Sequence, residues 1–422
     1  MPTALRTAMK IRVVVVGGGV IGMCCAYYLV RRGAQVVVLE RKAVGEGASY
    51  GNAGVIAAGH PPMNKPDRVR QALTNILDST TPLYIAPRFD PALAAWLLRF
   101  SANCTERKLK ANMRILGPLG HATLEMFSWL VEEERLDCGF REAGYYEVCR
   151  TEKGVDQAYR DVLLMREQGF DAEALTGEEL DRRLTSLKPG TTGGAFFPEA
   201  ATCDPHRFVT ELADRTQRQG GRIEVGQSVI EVEGGASPVV CTAEGERFEA
   251  DAVVLATGAY SLELVRKLGC RLPIQPGKGY HRDLEVGNGG APPLEAAYLL
   301  SETSIFCTPM SGRVRFAGTM EFSGLNHRMR PARLAQLTVG AGQYLEGIET
   351  RRMTSEWCGL RPCSPDGLPV VGQVPGQPTI FVATGHAMSG LTLGPVTGAL
   401  IADLVTGSTP SLDISPLEPA RF

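Results

Sequence analysis

The chain lacks an excess of charge of either sign. Lys and Arg total 44 against 46 Asp and Glu, a formal net charge of -2. No electrostatic field therefore favours nucleic acid or strongly acidic ligands. Long apolar runs are missing too: nothing reaches the roughly 18 uninterrupted apolar residues of a spanning helix. No secretory signal is expected, because ten residues precede the first strand and its apolar run breaks at Gly17. The eleven cysteines are odd in number and lack metal-type spacing, so no metal site is expected. Adjacent Cys24 and Cys25 suit buried thiols in a helix better than a disulfide. These absences point to a reduced, cytoplasmic setting, with peripheral contact at the inner face of the cell membrane left open. Internal repeats and low-complexity tracts are also missing.

What is present has the balance of a globular enzyme. The chain has 422 residues, 44% hydrophobic and 21% charged, too long for one compact core, so two domains are expected. Residues 11–16 form a β-branched run, the mark of a strand buried on both faces. Glycines follow, then an apolar helix over about 20–32 with Gly33 as its C-terminal cap. Residues 35–40 form a second buried strand, completing a βαβ unit.

Residues 60–91, rich in proline and polar residues, read as a long loop or lid that His60 begins. Asp90-Pro91 opens an apolar helix that contains Leu93, Trp96, Leu97 and Phe100. Core packing and membrane or partner docking are both open for its face. A further helix runs over about 109–134. A strand is expected at 144–150, and Asp204-Pro205 caps a helix at 208–219. Strands follow at 222–225, 229–233 and 251–256. Residues 272–315 alternate like an antiparallel sheet, and 380–383 form a last buried strand. The buried parallel-type strands sit at the start, middle and end of the chain. That predicts one nucleotide-binding domain from three segments, 1–60, 200–270 and 350–422. A second domain is inserted as 61–199 and 271–349.

Gly17-x-Gly19-x-x-Gly22 follows a strand and opens a helix, the context in which the pattern carries meaning. Gly17 permits the tight turn, Gly19 lets backbone approach a pyrophosphate, and Gly22 allows close helix–strand packing. The helix start at Val20 and Ile21 offers unpaired N–H groups and positive dipole to phosphates. Glu40 ends the second strand, where a carboxylate accepts from a ribose hydroxyl, and Arg41 and Lys42 follow it. A second glycine-rich run over 45–54 comes at once. Its small Ala48, Ala53 and Gly54 let chain pass close to an extended ligand, and Ser49 and Asn52 offer side-chain hydrogen bonds. That points to FAD rather than NAD. Thr257-Gly258 closes a buried strand on the cofactor side, and Val229 is placed to meet the adenine through its backbone. Plain sheet and turn remains the other reading of both.

The C-terminal third carries Gly359-Leu360-Arg361-Pro362-Cys363-Ser364-Pro365-Asp366-Gly367-Leu368-Pro369-Val370-Val371-Gly372, then a glycine-rich run from Thr384 to Pro395. With Ser49-x-x-Asn52-Ala53-Gly54 and Lys278-Gly279-Tyr280, these elements resemble, in order along nearly the whole chain, the FAD-dependent D-amino-acid oxidase superfamily. That superfamily includes glycine and sarcosine oxidases; within it, the match is to the bacterial D-amino acid dehydrogenases.

The resemblance implies an α/β fold, α+β overall. A Rossmann-like FAD-binding domain of the glutathione-reductase type would carry an inserted antiparallel-sheet substrate domain. It implies oxidative deamination of D-amino acids by hydride transfer from Cα to flavin N5. Electrons would pass to a quinone or another respiratory acceptor. Secondary-amine oxidation and a non-catalytic flavoprotein subunit are the alternatives. Arg361 would clamp the substrate carboxylate with its planar fork. Gly390, Leu391 and Thr392 would place backbone N–H groups near the flavin N1–C2 carbonyl. His386 either contacts the ring or satisfies its turn. Tyr280 would line the substrate pocket, as would one of Tyr145 and Tyr146, which face opposite sides of a strand. Lys278 either nears the flavin or pairs structurally. Some relatives hold flavin through a cysteine at a place nearer Gly359 than Cys358, so FAD is expected to be non-covalent.

Overall fold

The computed structural model describes residues 10–66, 69, 81–286, 294–348 and 352–422. Two sheets dominate it. The first has six strands in the order Val370–Gln373, Ile380–Thr384, Ala252–Leu255, Arg12–Val16, Gln35–Glu40 and Arg222–Val225. All its pairings are parallel except that of Val370–Gln373. Val13 to Val16 are each at most 3% exposed. Val13 and Val15 enter one core cluster and Val14 and Val16 another, on the opposite face. A strand covered on both faces leaves no place for polar residues, which explains the uninterrupted valines.

The helix Val20–Arg31 packs against Gly394–Val405. A Cβ on Gly398 would lie 2.5 Å from the Cys24 carbonyl carbon, so only glycine lets these helices approach so closely. Cys24 and Cys25 are buried there, and all eleven cysteines are free thiols.

The second sheet has nine strands. Its main path runs Met353–Cys363, Gln275–Glu285, Arg313–Phe322, Ile305–Met310, Ala297–Leu300, Tyr145–Cys149, Gly193–Phe197 and Glu173–Thr176, with Leu83–Ile85 beside Arg313–Phe322. Met353–Cys363 belongs to this sheet, so the chain crosses between layers later than a boundary at 350. Val229–Glu233 pairs with Val239–Thr242 in a separate antiparallel sheet.

The stretch 60–91 is not all loop: Leu83–Ile85 pairs with Met320–Phe322. Residues 67–68 and 70–80 of it lie outside the described residues, as do 287–293 of the alternating region. The Asp90 side chain accepts from Leu93 N and caps the helix Pro91–Asn103. Trp96 is 2% exposed and donates through Nε1 to the Cys363 carbonyl at 3.0 Å, which makes it core. The exposed apolar surface falls instead to Leu98 and the preceding Phe89. Among the described residues no helix is long and apolar enough to cross a membrane.

Candidate active site

A cavity of about 1480 Å³ runs from the glycine turn of the first sheet to the face of the second. Gly17 has φ of +108°, and a Cβ there would sit 2.6 Å from the Ala256 carbonyl oxygen. A Cβ on Gly22 would fall 1.8 Å from the Gly17 oxygen. The turn is therefore closed to larger residues by its own backbone. Glu40 braces it: Oε2 accepts from Gly18 N at 2.7 Å and Oε1 from Lys42 N at 2.9 Å. Ser49 Oγ accepts from Val20 N at 2.9 Å, tying the second glycine run to the helix start. Asn52 Oδ1 accepts from Gly54 N at 2.8 Å, so this side chain shapes its own loop.

Gly17, Gly19, Val20, Ile21, Glu40, Arg41, Lys42, Ala48, Ser49, Asn52 and Ala53 line the cavity, as do Val229, Thr257 and Gly258. Gly22 and Gly54 do not; both serve packing, and Gly54 makes room for the Cys203 oxygen. Arg41 lies 3.9 Å over the Tyr260 ring, itself part of the wall. Gly390, Leu391 and Thr392 line the cavity in the turn ahead of Gly394–Val405, and their N–H groups take no backbone acceptor among the described residues. An elongated cradle with free N–H groups at two helix starts fits a dinucleotide with a reducible ring.

Arg361 projects from Met353–Cys363 across the strand Gln275–Glu285. A Cβ on Gly279 would lie 2.3 Å from its Cζ, so that glycine is the groove through which the guanidinium passes. Arg361 Nη1 donates to the Thr319 carbonyl at 2.7 Å. Thr319 has φ of +59°, a strained conformation for a β-branched residue, held at the strand irregularity between Lys278 and Tyr280. No carboxylate pairs with Arg361 among the described residues. Burial, and then the Arg333 charge, pull it below the ordinary arginine value.

His386 also lines the cavity, with Nε2 3.0 Å from Thr397 Oγ1 and Nδ1 without a partner among the described residues. Burial drives its pKa down to about 3, so the ring is neutral.

Three tyrosines behave otherwise. Tyr280 lies on the far face of the sheet, where its hydroxyl donates to Glu321 Oε2 at 2.7 Å. Lys278 shares that face and meets Glu321 at 3.4 Å and Asn326 at 2.6 Å. Neither reaches the cavity. Strand alternation puts Arg361, Gly279 and Gly277 on one face and Lys278 and Tyr280 on the other. Tyr146 stacks on Phe196 away from the cavity. Tyr145 faces inward but stands behind His60, whose Nδ1 is 3.0 Å from its hydroxyl. Cys358 turns its Sγ to the His327 carbonyl at 3.3 Å.

Sequence reasoning missed four residues. The Trp357 ring covers Gly51 and Gly359. Arg315 bonds the Tyr50 and Asn52 carbonyls, each at 3.0 Å, and forks onto Asp283 at 2.8 and 2.9 Å. Thr319 and Glu147 complete the wall. Only Glu147 had a signal: a carboxylate inside an otherwise uncharged strand, Tyr145–Cys149.

A parallel nucleotide-binding sheet laid against a substrate sheet, with a glycine cradle at their junction, defines a flavin-type oxidoreductase. The chain belongs to the DAO family of FAD-dependent oxidoreductases, whose model matches residues 12–404. It is 33% identical over 419 residues to the D-amino acid dehydrogenase of Methylobacterium nodulans, covering 97% of this chain and 99% of that one. The D-amino acid dehydrogenase of Vibrio atlanticus is 30% identical over 418 residues, with 97% and 99% covered. The crystal structure of glycine oxidase from Geobacillus kaustophilus superposes with a TM-score of 0.79 at 25% identity, covering 98% of this chain and all of that one.

Proposed function

We propose that the chain oxidises the carbon–nitrogen bond of D-amino acids, giving 2-oxo acids and ammonia. The observation that carries this reading is Arg361, a half-buried and desolvated guanidinium facing the cavity with no carboxylate partner among the described residues. A desolvated cation without a counter-ion is costly, and a substrate carboxylate relieves that cost. The planar fork takes two carboxylate oxygens and fixes the Cα beside them.

FAD, bound non-covalently along the glycine turn, supplies the two-electron acceptor. The N–H groups of Gly390, Leu391 and Thr392 form a positive electrostatic end to the site. Neutral His386 supplies no strong base. The residues therefore support loss of hydride from a substrate whose amine is already neutral, helped by orientation in a dry pocket. Water hydrolyses the resulting imine to the 2-oxo acid and ammonia.

Electrons then pass to a quinone. The exposed Phe89 (97%) and Leu98 (75%) are the surface that supports peripheral membrane contact.

The test is anaerobic bleaching of the flavin by a panel of D-amino acids, L-amino acids, glycine, sarcosine and hydroxyproline. Bleaching by D-amino acids is expected. Bleaching by secondary amines or glycine alone replaces the substrate class, and bleaching by none leaves a non-catalytic flavoprotein. Arg361→Ala should raise KM for carboxylate substrates about 100-fold or more, the loss of a buried charged hydrogen-bond pair. An unchanged KM removes the clamp.

A further inference from the structure

The cavity extends well beyond Arg361 along the face of the second sheet. Partners in strand register share a face, so Glu147, Leu299, Phe306 and Ala317 form one row across four strands. All four line the cavity. Thr319, which holds the Arg361 guanidinium, lies two residues beyond Ala317 on the same strand. Glu147 therefore stands at one end of an apolar row and Arg361 at the other.

Glu147 is 5% exposed. Its Oε1 accepts from Ser301 Oγ at 2.8 Å, and its other oxygen has no partner among the described residues. Nearby, Asp161 is paired with Lys65 and accepts from Gln157 Nε2 at 3.0 Å. Lys65 bonds Asp161 directly and acts on Glu147 only through space, so no cation bonds the Glu147 carboxylate among the described residues.

We infer that Glu147 receives the distal cation of a basic amino acid whose α-carboxylate is clamped by Arg361. The inference rests on the D-amino acid reading above. Strands are spaced about 4.8 Å apart, so the two charged groups stand roughly 10–14 Å from each other. A substrate of ornithine, lysine or arginine length, with a charged hydrogen bond of about 2.8 Å at each end, fills that gap. Its methylene stem lies over Leu299, Phe306 and Ala317. A desolvated carboxylate left unpaired by a neutral substrate discriminates against it.

The experiment compares D-lysine and D-arginine with the neutral D-norleucine, in the holoenzyme and in Glu147→Gln. A binding readout accompanies it: displacement of the flavin spectrum by 6-aminohexanoate and by hexanoate. In the parent, kcat/KM for the basic substrates should exceed that for D-norleucine by about 10-fold or more, the weight of one charged hydrogen bond. Glu147→Gln should abolish that preference and the tighter binding of 6-aminohexanoate, lowering kcat/KM for the basic substrates and raising it for D-norleucine, at unchanged flavin content. Equal loss on all three substrates, or no loss on the basic ones, overturns the inference and leaves the amino-acid reading standing. A parent flavin bleached by no D-amino acid overturns that reading instead.

Discussion

Two ionisable groups at the cavity wall are treated oppositely by their surroundings. Arg361 has a carbonyl where an anion would be expected, which is the ground for the proposed carboxylate clamp. Glu147 has its pKa pushed up to about 7, first by burial and then by the Asp161 charge. A carboxyl raised from its ordinary value of 4.5 contributes stability that is fully present below that value. The contribution is lost as pH rises through about 7. Relative to Glu147→Gln, the parent should lose on the order of 1–3 kcal/mol between pH 4.5 and 8. Urea unfolding of both proteins across that range measures it, and a flat difference would show that Glu147 is not desolvated. His386 acts in the opposite sense: its pKa is pushed from 6.5 down to about 3 by burial, so it contributes stability that is present above 6.5 and lost as pH falls from there toward 3, equally in both proteins, and it cancels in their difference.

At the scale of elements, the strand is the unit that decides which residues meet. Lys278-Gly279-Tyr280 is a recognisable triplet, yet its glycine faces the cavity and its neighbours face away. Glycine at 279 matters because the Arg361 side chain occupies the space of its absent Cβ. The helix Pro91–Asn103 makes the same point. Its period placed Leu93, Trp96, Leu97 and Phe100 on one face; Leu93, Trp96 and Phe100 are buried, and Leu97 is half-buried at the edge of that face. Leu98 is left outside, with Phe89 just before the helix. If this end meets lipid, Phe89→Ser with Leu98→Ser should cut co-sedimentation with phosphatidylglycerol-containing vesicles severalfold at unchanged flavin content. Equal sedimentation assigns both residues to solvent.

The whole molecule depends on ties between its two layers. Arg315, 2% exposed, is the most concentrated of them: it joins Asp283 in the substrate sheet to the Tyr50 and Asn52 carbonyls of the cofactor loop. Arg315→Ala leaves the buried Asp283 with Arg313 alone, at 3.0 Å, and frees that loop. It should destabilise the protein by about 1.5–3 kcal/mol, as loss of a charge-assisted hydrogen bond does. Flavin retention on gel filtration should fall with it. Full retention with unchanged stability would show that the loop is held by its own Asn52 and Ser49 bonds.

Much of this was legible in sequence, and for a definite reason. The valines of 13–16 and 36–38, the spacing of Gly17, Gly19 and Gly22, and Glu40 act within one βαβ unit, where local geometry suffices. Caps at Asp90 and Asp204 are equally local. Arg361 was legible as a cation in a distinctive run, but its orphaned state was not, since that is a statement about what is missing around it. Tyr280, Tyr145 and Glu147 could not be sorted, because alternation gives two faces without saying which one meets the cavity. That choice depends on partners more than a hundred residues away, such as Leu299 for Glu147. The sequence alone determined a dinucleotide turn and the order of the buried strands, because those features are contained in short segments. Which charges face each other across the cavity was decided by the pairing of distant strands, which only tertiary packing sets.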